Sequence, residues 1–199
     1  MIPTVLSYDD RATPEALALA LETGQTVIFP TDTVYGLGGN PWDRRVLDHV
    51  RRLKGRLPDQ PFTLHLWNAE QIPRYATCSE TLFQKIRHAL PGPYTLLLPA
   101  SDAAPIATVS NGVVGIRVPY HPLFGDVLRQ PVFATSVNRR GQPPLNDIAA
   151  IIETFTEVDL ILTGSVCGTA SAILDLTVTP VQVARGTVPP DLLRILSGP

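Results

Sequence analysis

The stretch Ile28-Phe-Pro-Thr-Asp-Thr-Val-Tyr-Gly-Leu-Gly-Gly-Asn40 constrains this chain more than any other. It begins as an apolar strand. Proline donates no ladder hydrogen bond, so the strand has to stop at Pro30 or lie at a sheet edge. Two threonine hydroxyls, a carboxylate and a phenol follow at Thr31, Asp32, Thr33 and Tyr35, then glycines at Gly36, Gly38 and Gly39. Polar side chains at a strand end, beside backbone that lets a ligand come close, describe a binding loop. The plainer alternative is a strand-to-helix turn with ordinary Gly and Asn chemistry. A glycine-rich turn by itself does not separate the two.

The next segment adds charge. Residues 44–56 read RRVLDHVRRLKGR, with cations at Arg44, Arg45, Arg51, Arg52, Lys54 and Arg56 against Asp48. Val46, Leu47, Val50 and Leu53 form the apolar stripe of a helix, and Gly55 is placed to end it. Lys54 and Arg56 then sit at the helix C-terminus. Cations there suit the helix dipole. The functional alternative is a phosphate clamp, one point charge and one fork.

The chain has 199 residues, 44% apolar and 17% charged. That range supports a packed core, and the length fits one large domain or two small ones; the interleaving of strands and helices favours one domain over residues 1–199. A net charge of −2 advertises no global attraction to nucleic acid. Cys78 and Cys167 belong to no C-x-x-C pair, so neither a zinc site nor a disulfide framework is indicated. The N-terminus has no basic region followed by an apolar run, and no apolar run approaches the roughly 18 residues of a membrane span. A reducing cytoplasm fits these features.

Along the chain, Thr13-Pro14-Glu15 reads as an N-cap, a proline in the first turn and a favourable acid, opening a helix that runs to Gly24. Strands are expected at Val27–Phe29, Phe62–Leu66, Thr95–Leu98, Val113–Val118, Val132–Thr135, Leu160–Leu162, Ala172–Leu176 and Val181–Ala184. In Phe62–Leu66 the period-two alternation turns Phe62, Leu64 and Leu66 one way and Thr63 and His65 the other. Gly115 and Arg117 share a face in the same manner. Further helices are expected at Ser79–Leu90, from Pro122 to Leu128, at Ile148–Phe155 with Asp147 as cap, and at Pro189–Leu196. The elements interleave without a clean β-α-β series. They predict an α/β fold, an open twisted mixed sheet with flanking helices.

No phosphate-binding G-x-x-x-x-G-K-[ST] loop, H-E-x-x-H pair or G-x-S-x-G elbow occurs. What remains is a set of hydroxyls and cations at strand ends: Thr33, Lys54, Arg56, Arg117, Ser136, Asn138 and Arg185. Such a set suits anion binding rather than covalent catalysis. Lys54 and Lys85 are the chain's two lysines.

PTDTVYGLG followed by KGR resembles the opening of the YrdC/TsaC family, the threonylcarbamoyl-AMP synthases. The resemblance continues in order through Pro91-Gly-Pro-Tyr-Thr95, Gly115-Ile-Arg-Val-Pro-Tyr-His-Pro122, Thr135-Ser-Val-Asn138 with Gly141 and Pro143, Ser171–Asp175 and Arg185-Gly186. It implies the YrdC/RibB-like fold with a deep basic cavity. It also implies a reaction. L-threonine, bicarbonate and ATP with Mg2+ give threonylcarbamoyl-AMP and pyrophosphate, and downstream transferase proteins pass the product to adenosine 37 of tRNA. Two anions meet in that step, so cations have to screen nucleophile and triphosphate together.

On this pattern Thr33, His65 and Arg117 match the threonine-binding positions, Arg117 facing the substrate carboxylate. Lys54 and Arg56 match the catalytic K-x-R pair on the triphosphate. Gln60, Ser136, Asn138 and Arg185 match contacts to ATP. Three segments depart from the pattern: Val137 replaces the usual alanine, RRGQPP at 139–144 puts Pro144 where a serine is common, and ASAILD at 170–175 replaces PSTVVD. The hydroxyls lost lie at the nucleotide end. The resemblance also implies a short form without the C-terminal domain of longer members, so any lid is expected to be local. Two other functions share the fold: a module that binds double-stranded RNA or tRNA without synthase activity, and an enzyme that forms carbamoyl-adenylate.

Overall fold

The computed structural model describes residues 3–198 of the chain. In chain order the elements are β1 (Thr4–Ser7), α1 (Thr13–Glu22), β2 (Val27–Phe29), β3 (Gly36–Gly39), α2 (Arg44–Lys54), β4 (Thr63–His65), α3 (Ile72–Tyr75), α4 (Glu80–Ala89), β5 (Tyr94–Pro99), β6 (Val109–Ser110), β7 (Val113–Arg117), β8 (Val132–Ser136), α5 (Ile148–Thr154), β9 (Leu160–Thr163), β10 (Ala172–Asp175), β11 (Gln182–Arg185) and α6 (Pro190–Ser197). All the strands join one sheet, in the order β1-β9-β2-β3-β8-β4-β7-β5-β10-β11, with β6 beside β7. Pairing is mixed. β1 and β2 run parallel to β9, β4 to β7, and β5 to β10; the other neighbours are antiparallel. The mixed open sheet expected from the sequence is therefore present.

Local chemistry explains most helix ends. The Asp43 carboxylate accepts from the Arg45 amide at the start of α2, and Gly55 closes it with φ +63°. Ser79 and Asp147 cap α4 and α5 in the same way. At α1 the expectation is corrected. Ala12 holds the cap position, and Thr13 lies inside the helix with its hydroxyl donating to the Ser7 carbonyl. The helix expected from Pro122 to Leu128 is also corrected. Phe124 is extended and Gly125 has φ +95°, so the segment is an irregular turn. Strand β1 carried no signal of its own. It is an edge strand, specified by its pairing to β9 rather than by an alternating pattern.

The largest correction concerns the glycines. Gly36–Gly39 is not loop but a fully buried strand between β2 and β8. A Cβ on Gly38 would come within 1.8 Å of the Phe133 carbonyl oxygen. Glycine is there because two backbones pass too close for any side chain. Gly38→Ala is expected to lower stability by about 2–3 kcal/mol, since rigid backbone has to move. Chemical denaturation reads this, and an unchanged midpoint would show the strands can separate freely.

Two cores lie on opposite faces of the first half of the sheet. Ile28, Leu37 and Phe133 pack with the apolar stripes of α2 and α5. Val27, Phe29 and Leu160 pack with Leu17 and Leu21 of α1. In the second half, Leu64, Leu96, Leu98, Ile116 and Leu174 bury one face against α4 and α6. The opposite face of those strands has no helix core. It becomes the floor of a cavity.

Candidate active site

Side chains alternate along a strand, so the residues between the core positions of β4, β7, β5 and β10 all point to the same side. Register then lines them up across the sheet. His65 of β4 pairs with Arg117 of β7, Arg117 with Thr95 of β5, Thr95 with Ile173 of β10, and Ile173 with Arg185 of β11. This lateral row crosses a cavity of about 730 Å³, whose lining includes Thr31, Arg56, His65, Thr95, Arg117, Ser136, Asn138, Ser171, Asp175 and Arg185. Three arginines face the same hollow against the Asp175 carboxylate. Low-dielectric walls strengthen such a field for anions.

Among the residues expected from the sequence, Arg56, His65, Arg117, Ser136, Asn138 and Arg185 thus meet in one place. Thr33, Lys54 and Gln60 do not line the cavity itself. Thr33 is 1% exposed and lies behind Thr31, with the two hydroxyl oxygens 3.1 Å apart; Thr31 is the member of the pair that lines the hollow. Gln60 offers its carbonyl to Arg56 Nε at 3.4 Å.

Lys54 is buried, and its ammonium is fully used. Nζ donates to the Ser136 carbonyl, to the Asn138 carbonyl at 2.9 Å and to Asn138 Oδ1 at 2.7 Å. The Ser136 hydroxyl donates to the same Oδ1 at 2.6 Å, and Asn138 Nδ2 donates to the Gln142 carbonyl at 2.7 Å. Lys54 therefore ties the end of α2 to the segment after β8. Burial, and then the Arg56 charge, draw its pKa down to about 7. Arg56 stacks over Phe62 with 4.9 Å from guanidinium to ring centroid, and it donates to Thr135 Oγ1 and the Pro61 carbonyl.

Arg117 is no surface cation. It is 4% exposed, and its Nη2 donates to Asp32 Oδ1 in a buried ion pair. Burial lowers its pKa, and the Asp32 charge opposes that. Asp32 stood in the binding-loop motif, but its partner could not be named from the sequence. Ser171 and Thr95 form another pair that sequence reasoning did not assign: their hydroxyls lie 2.9 Å apart, and Arg185 Nη2 donates to the Ser171 carbonyl at 2.9 Å. The signal available was their place in the quoted motifs Pro91–Thr95 and Ser171–Asp175.

His65 is neutral. Burial, reinforced by the Arg117 charge, takes its pKa down to about 3, although a contact to the Thr63 carbonyl at 3.3 Å favours the proton. The unfolded chain titrates near the ordinary value, about 6.5. Between those values the unfolded state binds the extra proton, so acid favours unfolding. Stability is expected to fall by up to about 1.4 kcal/mol per pH unit as the pH drops from 6.5 toward 3. His65→Gln should flatten that slope in urea titrations, and an unchanged slope would assign it to other groups.

The Sua5/YciO/YrdC family model, described as "Telomere recombination", matches residues 19–186. A threonylcarbamoyl-AMP synthase of Pyrococcus abyssi is 31% identical over 173 residues, which cover 83% of this chain and 51% of that protein. One from Pseudomonas fluorescens is 30% identical, covering 84% of this chain and 94% of the relative. The crystal structure of Pyrococcus abyssi Sua5 complexed with L-threonine superposes with a TM-score of 0.87 at 28% identity, covering 100% of this chain and 61% of the other. The chain thus spans about half the length of the Pyrococcus relative and nearly all of the Pseudomonas one.

Proposed function

The chain belongs to the Sua5/YciO/YrdC family, and from this we propose that it is a threonylcarbamoyl-AMP synthase acting on L-threonine, bicarbonate and Mg2+-ATP. The observation that carries the reading is the lateral row. It sets a buried arginine, a neutral imidazole and a pair of hydroxyls beside two more arginines in one cavity of about 730 Å³. The likeness to a threonine-bound relative agrees with it.

The reaction divides between two ends of the hollow. Arg117 receives the amino-acid carboxylate, with Thr31 and His65 around the rest of the molecule and Thr33 supporting Thr31 from behind. His65 stays uncharged, so it adds no second cation to compete for that carboxylate. The amine of threonine attacks bicarbonate carbon, and loss of water leaves a carbamate. A carbamate oxygen then attacks the α-phosphorus of ATP. A new P–O bond forms, the bond to the β-phosphate oxygen breaks, and pyrophosphate departs with the electron pair. Arg56 and Arg185 screen the triphosphate, while Lys54 holds Ser136 and Asn138 in register beside it. Mg2+ enters on the triphosphate as part of the substrate. No side-chain nucleophile takes part. Holding the two reactants in line supplies up to roughly 7–11 kcal/mol of barrier reduction.

Among the described residues no helix is long and apolar enough to cross a membrane, and both cysteines are free thiols. A cytoplasmic enzyme that supplies tRNA-modifying transferases fits these features. An RNA-binding role for the α2 arginines has less support. Arg44 and Arg51 share Asp48, and Arg45 pairs with Asp43, so three of the six cations in residues 44–56 have a carboxylate partner.

The test is pyrophosphate release from ATP. It should require both L-threonine and bicarbonate, and the product should carry a threonylcarbamoyl group by mass spectrometry. Release that ignores threonine would overturn the reading.

A further inference from the structure

The Asp32–Arg117 pair joins residues 85 positions apart and is left half-satisfied on both sides. Arg117 Nη2 is committed to Asp32 Oδ1, with Thr31 Oγ1 at 3.5 Å, while Arg117 Nε is buried without a partner. Asp32 Oδ2 is likewise buried and unpartnered. The Asp32 side chain is 11% exposed, and Asp32 is not among the cavity-lining residues, whereas Arg117 is. Asp32 therefore stands behind the guanidinium rather than in the substrate's path.

A guanidinium is a planar fork, so fixing one end fixes the direction of every other N–H. A guanidinium that lines the cavity and has only its Nη2 end committed keeps donors for a second anion. We propose that Asp32 is a positioning residue for the amino-acid substrate: it takes the Nη2 end of Arg117 and so aims the remaining donors at the substrate carboxylate. This rests on the proposed synthase reading. It deepens that reading by assigning the selectivity for a free α-carboxylate to a residue that does not touch the ligand.

The test combines Asp32→Asn with a ligand change. L-threonine binding is measured by calorimetry, and KM values are taken for threonine and ATP by pyrophosphate release. Asn keeps the shape, and its oxygen loses the charge that orients the fork. The threonine Kd and KM should rise by about tenfold or more, with the ATP KM within about twofold of wild type. L-threoninamide, which lacks the carboxylate charge, should bind both proteins equally weakly. If Asp32→Asn does not fold, Asp32→Ala gives the same comparison, because it removes the charge and the acceptor for Nη2 together. Equal rises in both KM values would make Asp32 merely structural. Tighter threonine binding would make it a plug on Arg117, and a loss with threoninamide as large as with threonine would place its action away from the carboxylate. Each of these outcomes overturns the proposal. If the wild-type protein itself ignores threonine, the synthase reading fails instead, and the two failures are told apart by that control.

Discussion

Arg117→Met is expected to lower kcat/KM for threonine in pyrophosphate release by about 10³-fold or more. The figure combines the loss of a charge-assisted pair to the substrate, about 3 kcal/mol, with the loss of aim it gives the carbamate. The same change leaves the Asp32 carboxylate buried with no partner. Breaking a buried pair from one side costs about 3–5 kcal/mol of stability. The double variant Arg117→Met with Asp32→Asn separates the two effects. It removes the stranded charge, so stability should recover in part while threonine binding stays lost. Recovery of activity in the double variant would show that Arg117 acts only on folding. Lysine is no substitute either, because a point charge cannot hold Asp32 and a carboxylate in one plane.

Lys54→Met is expected to lower pyrophosphate release by roughly 10²–10³-fold, mainly through the ATP KM, although Lys54 does not line the cavity. The Ser136 carbonyl, the Asn138 carbonyl and Asn138 Oδ1 lose their shared donor. Each charged hydrogen bond is worth about 1.5–3 kcal/mol, and three around one atom do not add, so about 3–4 kcal/mol is expected. The end of β8 and the segment after it should then shift, taking Ser136 and Asn138 out of their proposed place beside the nucleotide.

Acidity gives an independent check on Lys54. With a pKa of about 7 in the folded protein, it is charged below neutrality and increasingly neutral above it. A neutral amine has two N–H bonds for three acceptors. Binding of a triphosphate favours the charged form, so ATP affinity should weaken as the pH rises above 7, by at most about tenfold per unit. Stability moves the other way. The unfolded lysine titrates near 10.4, so the unfolded chain holds more protons between about 7 and 10.4, and stability rises with pH across that window. A Lys54→Met protein should lose both trends. If nucleotide affinity keeps its pH dependence in that variant, another group controls it.

Much of the local structure was legible from the residues. Asp147 announces a helix start and Gly55 announces an end, and each acts within a few positions of the helix it bounds. Alternation in Phe62–Leu66 placed His65 opposite the core without reference to any other strand. Motif order pointed to a single anion site, and six of the nine expected residues line one cavity. These are statements about neighbours in the chain, and the chain carries them by itself.

What joins residues far apart was settled only by the packed sheet. The glycine strand looked like a loop because its reason, the Phe133 backbone pressed against Gly38, belongs to β8. Lys54 suggested a phosphate ligand because nothing nearby in sequence reveals its acceptors, 82 and 84 residues downstream. The union of Asp32 with Arg117, and the row from His65 to Arg185, depend on strand order and register. A strand's pattern states which face is polar, but it does not state which strand lies beside it. Register between distant strands is chosen by the whole core at once, and that choice makes scattered polar faces into a site.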